Sequence, residues 1–322
     1  MLYPLIFHPL FKERVWGGRD LERLYGKALP PGVPIGESWE ISDRPGETSV
    51  IANGLLAGKD LRWLMQHHQT ELLGSAKPLS GRFPLLVKIL DAREKLSLQV
   101  HPPPSRAVEL GGEPKTEMWY IAAAAPGSEL YVGLKRGTTR REFEDKLRTG
   151  AVAECFHRVA VRPGDAMFLP SGRVHAIGGG LVIFEIQQNS DTTYRVYDWN
   201  RVGLDGQPRD LHVTQSLASI NFDDHEPALA GGGFACGMLR KRTLVNDPLF
   251  SVVAFASEAR ETVLLQPPRL RMVGVVEGRL TIASGADCVE LGKGRFGLIP
   301  AAIAAELRVE PGSNFLLVEA GE

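Results

Sequence analysis

Arg162-Pro-Gly-Asp-Ala-Met-Phe-Leu-Pro170 recurs in outline as Gly292-Lys-Gly-Arg-Phe-Gly-Leu-Ile-Pro300. Each stretch is a glycine turn, an apolar run of strand length, and a proline that ends it. After each comes a second apolar strand ending in an acid, Leu181 to Glu185 and Phe315 to Glu319, so one β-unit is used twice. His175 stands five residues after the first proline, and Ala305 stands five after the second. The repeat therefore predicts two β-domains, of which only the first keeps its chemistry. Their join falls in the loop region Ala228 to Gly233, giving a first domain over 1–230 and a degenerate second one, without a metal site, over 231–322.

The rest of the chain reads the same way. Its 35 glycines and 22 prolines punctuate short apolar runs such as Phe83 to Leu90, which marks a mostly β protein of two jelly-roll-type barrels. Helical periodicity is confined to insertions near 55–73 and 138–157, the second opened by Thr138 or Thr139 as a cap. Because these helices decorate the sheet and do not alternate with strands, a doubly wound α/β fold is excluded.

Composition narrows the partners. With 37 basic and 38 acidic side chains, no overall positive field exists to hold nucleic acid or an anionic membrane, so a small-molecule ligand is expected. The N-terminal stretch lacks the pattern of a signal peptide or a membrane span, and Cys155, Cys236 and Cys288 lack the spacing of a disulfide framework. Both features predict a cytoplasmic protein, acting as a monomer or homodimer.

The segment Lys95-Leu-Ser-Leu-Gln-Val-His101 alternates, placing Ser97, Gln99 and His101 on one face of a strand before Pro102, Pro103 and Pro104 stiffen the exit. Alone, that pattern also fits a solvated sheet face. Glu117, in Lys115-Thr-Glu117, and His175 change the balance. From Gly164 to His175 the chain runs glycine, five residues, proline, one, glycine, two, histidine. This spacing resembles the second metal-binding motif of the cupins. Two imidazoles, a carboxylate and an amide oxygen suit a borderline divalent ion such as zinc, with manganese or iron also compatible.

Gln99-Val-His101-Pro, Lys115-x-Glu117-Met and Glu185-Ile-Gln-Gln-Asn-Ser-Asp-x-x-Tyr-Arg195 stand with Trp16-Gly-Gly, Gly36-Glu-Ser-Trp39 and Val87-Lys-Ile-Leu90 in an order similar to that of the type I mannose-6-phosphate isomerases. The resemblance covers the whole chain and is to the compact bacterial branch. It implies two cupin-like barrels, interconversion of mannose 6-phosphate and fructose 6-phosphate, and one zinc ion held by Gln99, His101, Glu117 and His175. It also implies catalytic roles for Arg195 and Lys115. Some longer members carry a histidine before that lysine; here Pro114 stands there, so no role transfers to it.

Isomerisation through a cis-enediol needs a base, a carrier for the hydroxyl proton and a stabiliser of negative charge on oxygen. Glu185 or Lys115 supplies the base; equally, Glu185 could be a carboxylate paired with Arg195, and Lys115 could simply neutralise Glu117. Lys88, Arg195, Arg201 and Ser97 are the phosphate candidates, with Lys88 first because an unpaired ammonium in an apolar strand is costly. Its bland alternative is a salt bridge to Asp91 or Glu94. Trp16 and Trp39 could wall the sugar or fill the core, and Glu37 could meet sugar hydroxyls or cap the surface. Competing functions are a sugar-phosphate-binding cupin without turnover, a cupin oxygenase using iron, and an isomerase of another phosphorylated aldose.

Overall fold

An apolar run such as Leu181–Gln188 is stable as a strand only if both of its faces are covered. In the computed structural model, which describes residues 2–322, that strand is buried along its length. It pairs with Leu85–Ala92 on one side and Glu117–Ala124 on the other, inside a six-stranded antiparallel sheet. Leu10–Gly18 and Ile35–Ile41 complete the first edge, and Ala166–Leu169 forms the other. The inner face closes on a five-stranded sheet built from Leu98–Val100, Glu129–Leu134, Phe156–Ala160, His175–Ile177 and Tyr194–Tyr197. Trp119, Ile121, Ile183, Val132 and Ile177 form one core between them.

The outer face has a different neighbour. Phe184 and Ile186 share a core with Phe250, Leu316 and Val318 of a third sheet, whose strands run in the order Leu239–Asn246, Phe250–Ser257, Asn314–Ala320, Arg271–Glu277, Phe296–Ile299. That sheet closes in turn on a fourth, made of Glu261–Leu265, Ala305–Val309, Arg279–Ser284 and Asp287–Gly292, around Val273, Leu307 and Phe315. Two sheet pairs thus stand back to back. Each expected barrel has the strands of a jelly roll, but its two sheets face each other without a continuous hydrogen-bonded wall.

The repeat seen in the sequence extends to strand order. Ala166–Leu169 flanks Glu117–Ala124 as Phe296–Ile299 flanks Arg271–Glu277, and His175 and Ala305 each open a strand of the smaller sheet. Register corrects one equivalence. Glu319 lies opposite Arg271, and the residue opposite Glu117 is Gln187, so Gln187 and not Glu185 is the counterpart of Glu319. The connections after the two prolines differ in length, so matching the terminal acids by residue type shifts the equivalence.

Helices sit where turns allow them. Gly58, at φ 86°, ends the turn that opens the expected 55–73 helix, and the helix proper is Leu61–His67, capped by the Asp60 carboxylate accepting from Trp63 N at 2.7 Å, followed by Gln69–Leu73. Thr139 caps Arg140–Thr149 by accepting from Glu142 N, and a 3-10 turn follows at Val152–Cys155. Among the described residues no helix is long and apolar enough to cross a membrane.

Among the polar ties between the two halves, one comes from a buried ion pair. Lys27, fully buried, donates to Glu40 at 2.7 Å and to the Gly294 carbonyl at 2.9 Å. Removing one member of a buried pair strands the other charge. Lys27→Met is therefore expected to lower unfolding free energy by about 3–5 kcal/mol, measured by denaturant titration; a loss within the error of the titration would show that Glu40 finds another partner.

Candidate metal centre

Neighbouring strands bring the predicted cluster together. His175 pairs in register with Gln99, Gln99 with Arg195, and Glu117 with Gln187. His101 follows the strand Leu98–Val100, where the prolines turn the chain away. The candidate donor atoms of His101, Glu117 and His175 all lie within 4.8 Å of one another, and all three residues are buried.

Hydrogen bonds define the state of the imidazoles. His101 Nδ1 donates to Thr192 O at 2.8 Å and His175 Nδ1 to Arg173 O at 2.9 Å, which leaves both Nε2 atoms as unprotonated lone pairs. These point at Glu117, with His101 Nε2 3.4 Å from Oε2 and His175 Nε2 3.3 Å from Oε1. His101 Nε2 and Glu117 Oε1 have no hydrogen-bond partner. Lone pairs converging on a carboxylate in a dry interior repel one another, and a divalent cation between them removes the repulsion. Burial drives the His175 pKa down to about 3 and lowers that of His101, so both imidazoles stay neutral and ready to ligate at neutral pH.

Around this cluster lies a charged shell. Burial alone would raise the Glu117 carboxyl, but Lys115, with Nζ 2.7 Å from Oε2 and off the line of a hydrogen bond, holds it well below the usual carboxylate range. Burial would lower the Lys115 ammonium, and Glu117 and Glu185 outweigh that and raise it. Gln99 Nε2 stands 3.3 Å from His175 Nε2, and Ser97 Oγ reaches Gln99 Oε1 at 3.4 Å.

A pocket of about 620 Å³ opens beside the cluster, lined by Trp16, Glu37, Lys88, Ser97, Gln99, Lys115, Glu185 and Arg195 among others. Its inner wall is a row in register across three adjacent strands, Lys88, Glu185 and Trp119, and Trp39 continues the row on the next strand behind Lys88. The Trp119 indole donates to Glu185 at 2.8 Å, and Lys88 Nζ lies 3.4 Å from Glu185 and 3.8 Å from Glu37. Burial and then the Glu117 charge push the Glu185 carboxyl up, against Lys115 and Lys88. Glu37 also takes the Trp39 indole at 2.6 Å and Arg14 at 2.8 Å; burial would raise it, but Lys88 and Arg14 hold it at about 2.

Several sequence expectations find different partners. Glu185 is paired with Lys88, whereas Arg195 donates to the Asp210 carbonyl. Lys88 meets Glu37 and Glu185, and Asp91 instead accepts from Asp20 N at the start of a helix. Arg201 is bound to Asp198 and does not line the pocket, and Trp39 packs behind Lys88 without reaching it. Arg14, Asp191, Thr193 and Arg209 also line the pocket and were not singled out beforehand. Asp191 and Thr193 lie within the run from Glu185 to Arg195; Arg14 and Arg209 sit in stretches without periodicity, where no signal marked them.

Two imidazoles and a carboxylate gathered between two facing antiparallel sheets, beside an open pocket, define a β protein with a candidate metal site. Residues 5–116 match the family model described as phosphomannose isomerase type I, catalytic domain, and the chain is 38% identical to the mannose-6-phosphate isomerase ManA of Bacillus subtilis (strain 168), over 92% of this chain and 93% of that one. It belongs to the type I phosphomannose isomerase family. A mannose-6-phosphate isomerase of Streptococcus mutans is 36% identical over 93% of each chain. The crystal structure of the mannose 6-phosphate isomerase from Bacillus subtilis superposes with a TM-score of 0.88 at 30% identity, covering 98% of this chain and 99% of that one. The apo form of the Salmonella typhimurium enzyme, at 17% identity and a TM-score of 0.75 over 100% of both chains, shares the fold.

Proposed function

We propose that this protein interconverts mannose 6-phosphate and fructose 6-phosphate through a cis-enediol, using a zinc ion held by His101, Glu117, His175 and the amide oxygen of Gln99. The observation that carries this reading is the pair of unprotonated Nε2 lone pairs turned on Glu117, with the Glu185 carboxylate and Lys115 ammonium in the adjoining pocket. Gln99 would offer its amide oxygen to the ion once oxygen and nitrogen exchange places, since here Nε2 faces His175 Nε2 and Oε1 accepts from Ser97. When bound, the cation supplies Lewis acidity that stabilises negative charge developing on the sugar oxygens, a contribution of several kcal/mol in such sites.

The chain's own residues do the rest. Glu185, raised by burial and held by the Trp119 indole, takes the proton from C2 of the open-chain aldose and returns it to C1. Lys115, kept protonated by its two carboxylate neighbours, gives a proton to O1 as the enediol forms and recovers one from O2 as the ketose forms. Lys88 in this reading serves Glu185, because both of its ionic contacts are carboxylates. Arg195 adds fixed positive charge at the rim.

We assign the catalytic unit to 1–230 and a supporting unit to 231–322. In the second unit the counterparts of His175, Gln99 and Glu117 are Ala305, Leu265 and Arg271, so these three donors are replaced. Arg271, buried, donates to Glu319 at 2.6 Å and to the Gln266 carbonyl at 2.7 Å. Exposed Cys236 and Cys288, neither in a disulfide, fit the reducing cytoplasm as its compartment.

Dialysis against a chelator tests the whole reading. Isomerisation of mannose 6-phosphate, followed by coupled assay of fructose 6-phosphate, is expected to vanish on metal removal and return with stoichiometric zinc. Full activity in metal-free protein would refute the metal-dependent mechanism, and zinc-loaded protein that binds mannose 6-phosphate without turning it over would make it a binding protein.

A further inference from the structure

The pocket leaves one part of the substrate without a partner. Deep in the wall, Lys88 is already engaged by Glu37 and Glu185, so a phosphate there would have to displace a carboxylate. The opposite rim differs. The chain from Asp198 to His212 contains no helix or strand and lays Gly203, Leu204, Asp205 and Arg209 against the pocket. We propose that this strap is the phosphate-binding rim of the site: Arg209, positioned by Asp198, grips the phosphate monoester of the sugar together with Arg195. The assignment rests on the isomerase reading.

Charge and hydrogen bonding support it. Three guanidiniums, of Arg195, Arg201 and Arg209, surround one carboxylate. Asp198 accepts from Arg209 Nε and Nη2 at 2.7 and 2.6 Å and from Arg201 Nη2 at 2.8 Å, a bidentate hold on Arg209 that fixes the plane of its guanidinium. Arg201 spends another donor on the Lys95 carbonyl, at 2.6 Å, and faces away from the pocket. Among the described residues the Arg195 guanidinium makes one hydrogen bond, to the Asp210 carbonyl at 2.6 Å, while its buried Nε has no partner. Burial, and then the Arg209 charge, lower the Arg195 pKa against the pull of Asp198 and Asp210, as expected for cations crowded on one rim. Of the acids on this rim, Asp205 is turned back to Gln207 N at 3.0 Å.

The strap is also fixed at its root. Trp199 and Asn200 both hold left-handed backbone, with φ of 57° and 56°, a conformation that non-glycine residues rarely adopt. Such backbone persists where the surroundings over-determine it, and here the Trp199 indole donates to the Leu96 carbonyl at 2.7 Å while the Lys95 ammonium sits 3.6 Å above its ring. Arg209 therefore meets an incoming anion already placed, which spares the ordering entropy of binding.

Steady-state kinetics on zinc-loaded, full-length protein, with mannose 6-phosphate as substrate and inorganic phosphate as competitive inhibitor, tests the assignment. Arg209→Ala is expected to raise KM and the phosphate inhibition constant together, by about 10- to 100-fold, with kcat within about threefold of wild type. Arg209→Lys should recover part of the loss, and Asp198→Asn should raise both constants less than Arg209→Ala does. Unchanged constants in Arg209→Ala, or a matching loss in Arg14→Ala on the opposite wall in its place, would overturn the strap assignment. Should Arg209→Ala fail to fold, Arg209→Lys decides, since a phosphate site at this point must still weaken when the planar fork is lost. A wild-type protein that does not turn over mannose 6-phosphate at all would instead bring down the isomerase reading beneath it.

Discussion

His175→Ala is expected to give a folded protein that retains no ion and has lost at least about 10³-fold in turnover. The imidazole supplies one of the three lone-pair sites that converge on the centre, and its ring is held by the Arg173 carbonyl at one nitrogen and packed edge-on against Trp119 at 5.2 Å. No other side chain stands ready to replace it: Gln99, the nearest, is already counted in the set. Folding should survive because the residue removed is neutral, and truncating it leaves a small cavity in a wall otherwise made by Val132, Ile177 and Trp119. Elemental analysis should find zinc at far below one equivalent. The melting temperature should stop responding to added zinc, since an ion that binds only the native state stabilises it by mass action. Stoichiometric zinc in this variant would mean that the ion, if there is one, sits elsewhere.

The second large effect separates the proton path from the ion. Glu185→Gln keeps the shape of the side chain and an oxygen to accept from the Trp119 indole, yet removes the base. Lys115→Ala removes the ammonium in contact with Glu117 while leaving the three candidate ligands in place. Each is expected to lower kcat by about 10²–10⁴-fold, the range of general acid–base contributions, with zinc content unchanged. The two should differ in isotope exchange. Loss of Glu185 should stop exchange of the C2 proton with heavy water, whereas loss of Lys115 should slow product formation more than exchange. Near-normal turnover in either variant would take that residue out of the proton path.

Much of this was legible before any coordinates. The glycine–strand–proline repeat predicted the paired β architecture because a strand between obligatory turns has few other uses, and His101, Glu117 and His175 were marked by residue type and spacing. What could not be read was partnership across strands. The sequence places Lys88 near Asp91 and Glu94, but a strand's nearest polar neighbours lie on adjacent strands, and register alone puts Lys88 opposite Glu185. The same limit hid Lys27, whose partners lie 13 and 267 residues away. Arg209 was invisible for another reason: an irregular strap has no period, so nothing in its sequence tells which of several arginines turns inward.

The length of the apolar runs also gains an explanation. Phe184 and Ile186 are apolar although they point away from the pocket, because the third sheet covers them. Substitutions on that shared face should therefore disturb both units, however far they lie from the ion.

Arg271 and Glu319 bear on the history of the molecule. At the place corresponding to Glu117 the second unit has installed a permanent cation on a side chain, with its own counter-charge opposite. The first half gathers three lone-pair donors with no cation of its own side chains among them. The second half carries its cation covalently, so its fold owes nothing to metal supply and serves as cover for the back of the other sheet.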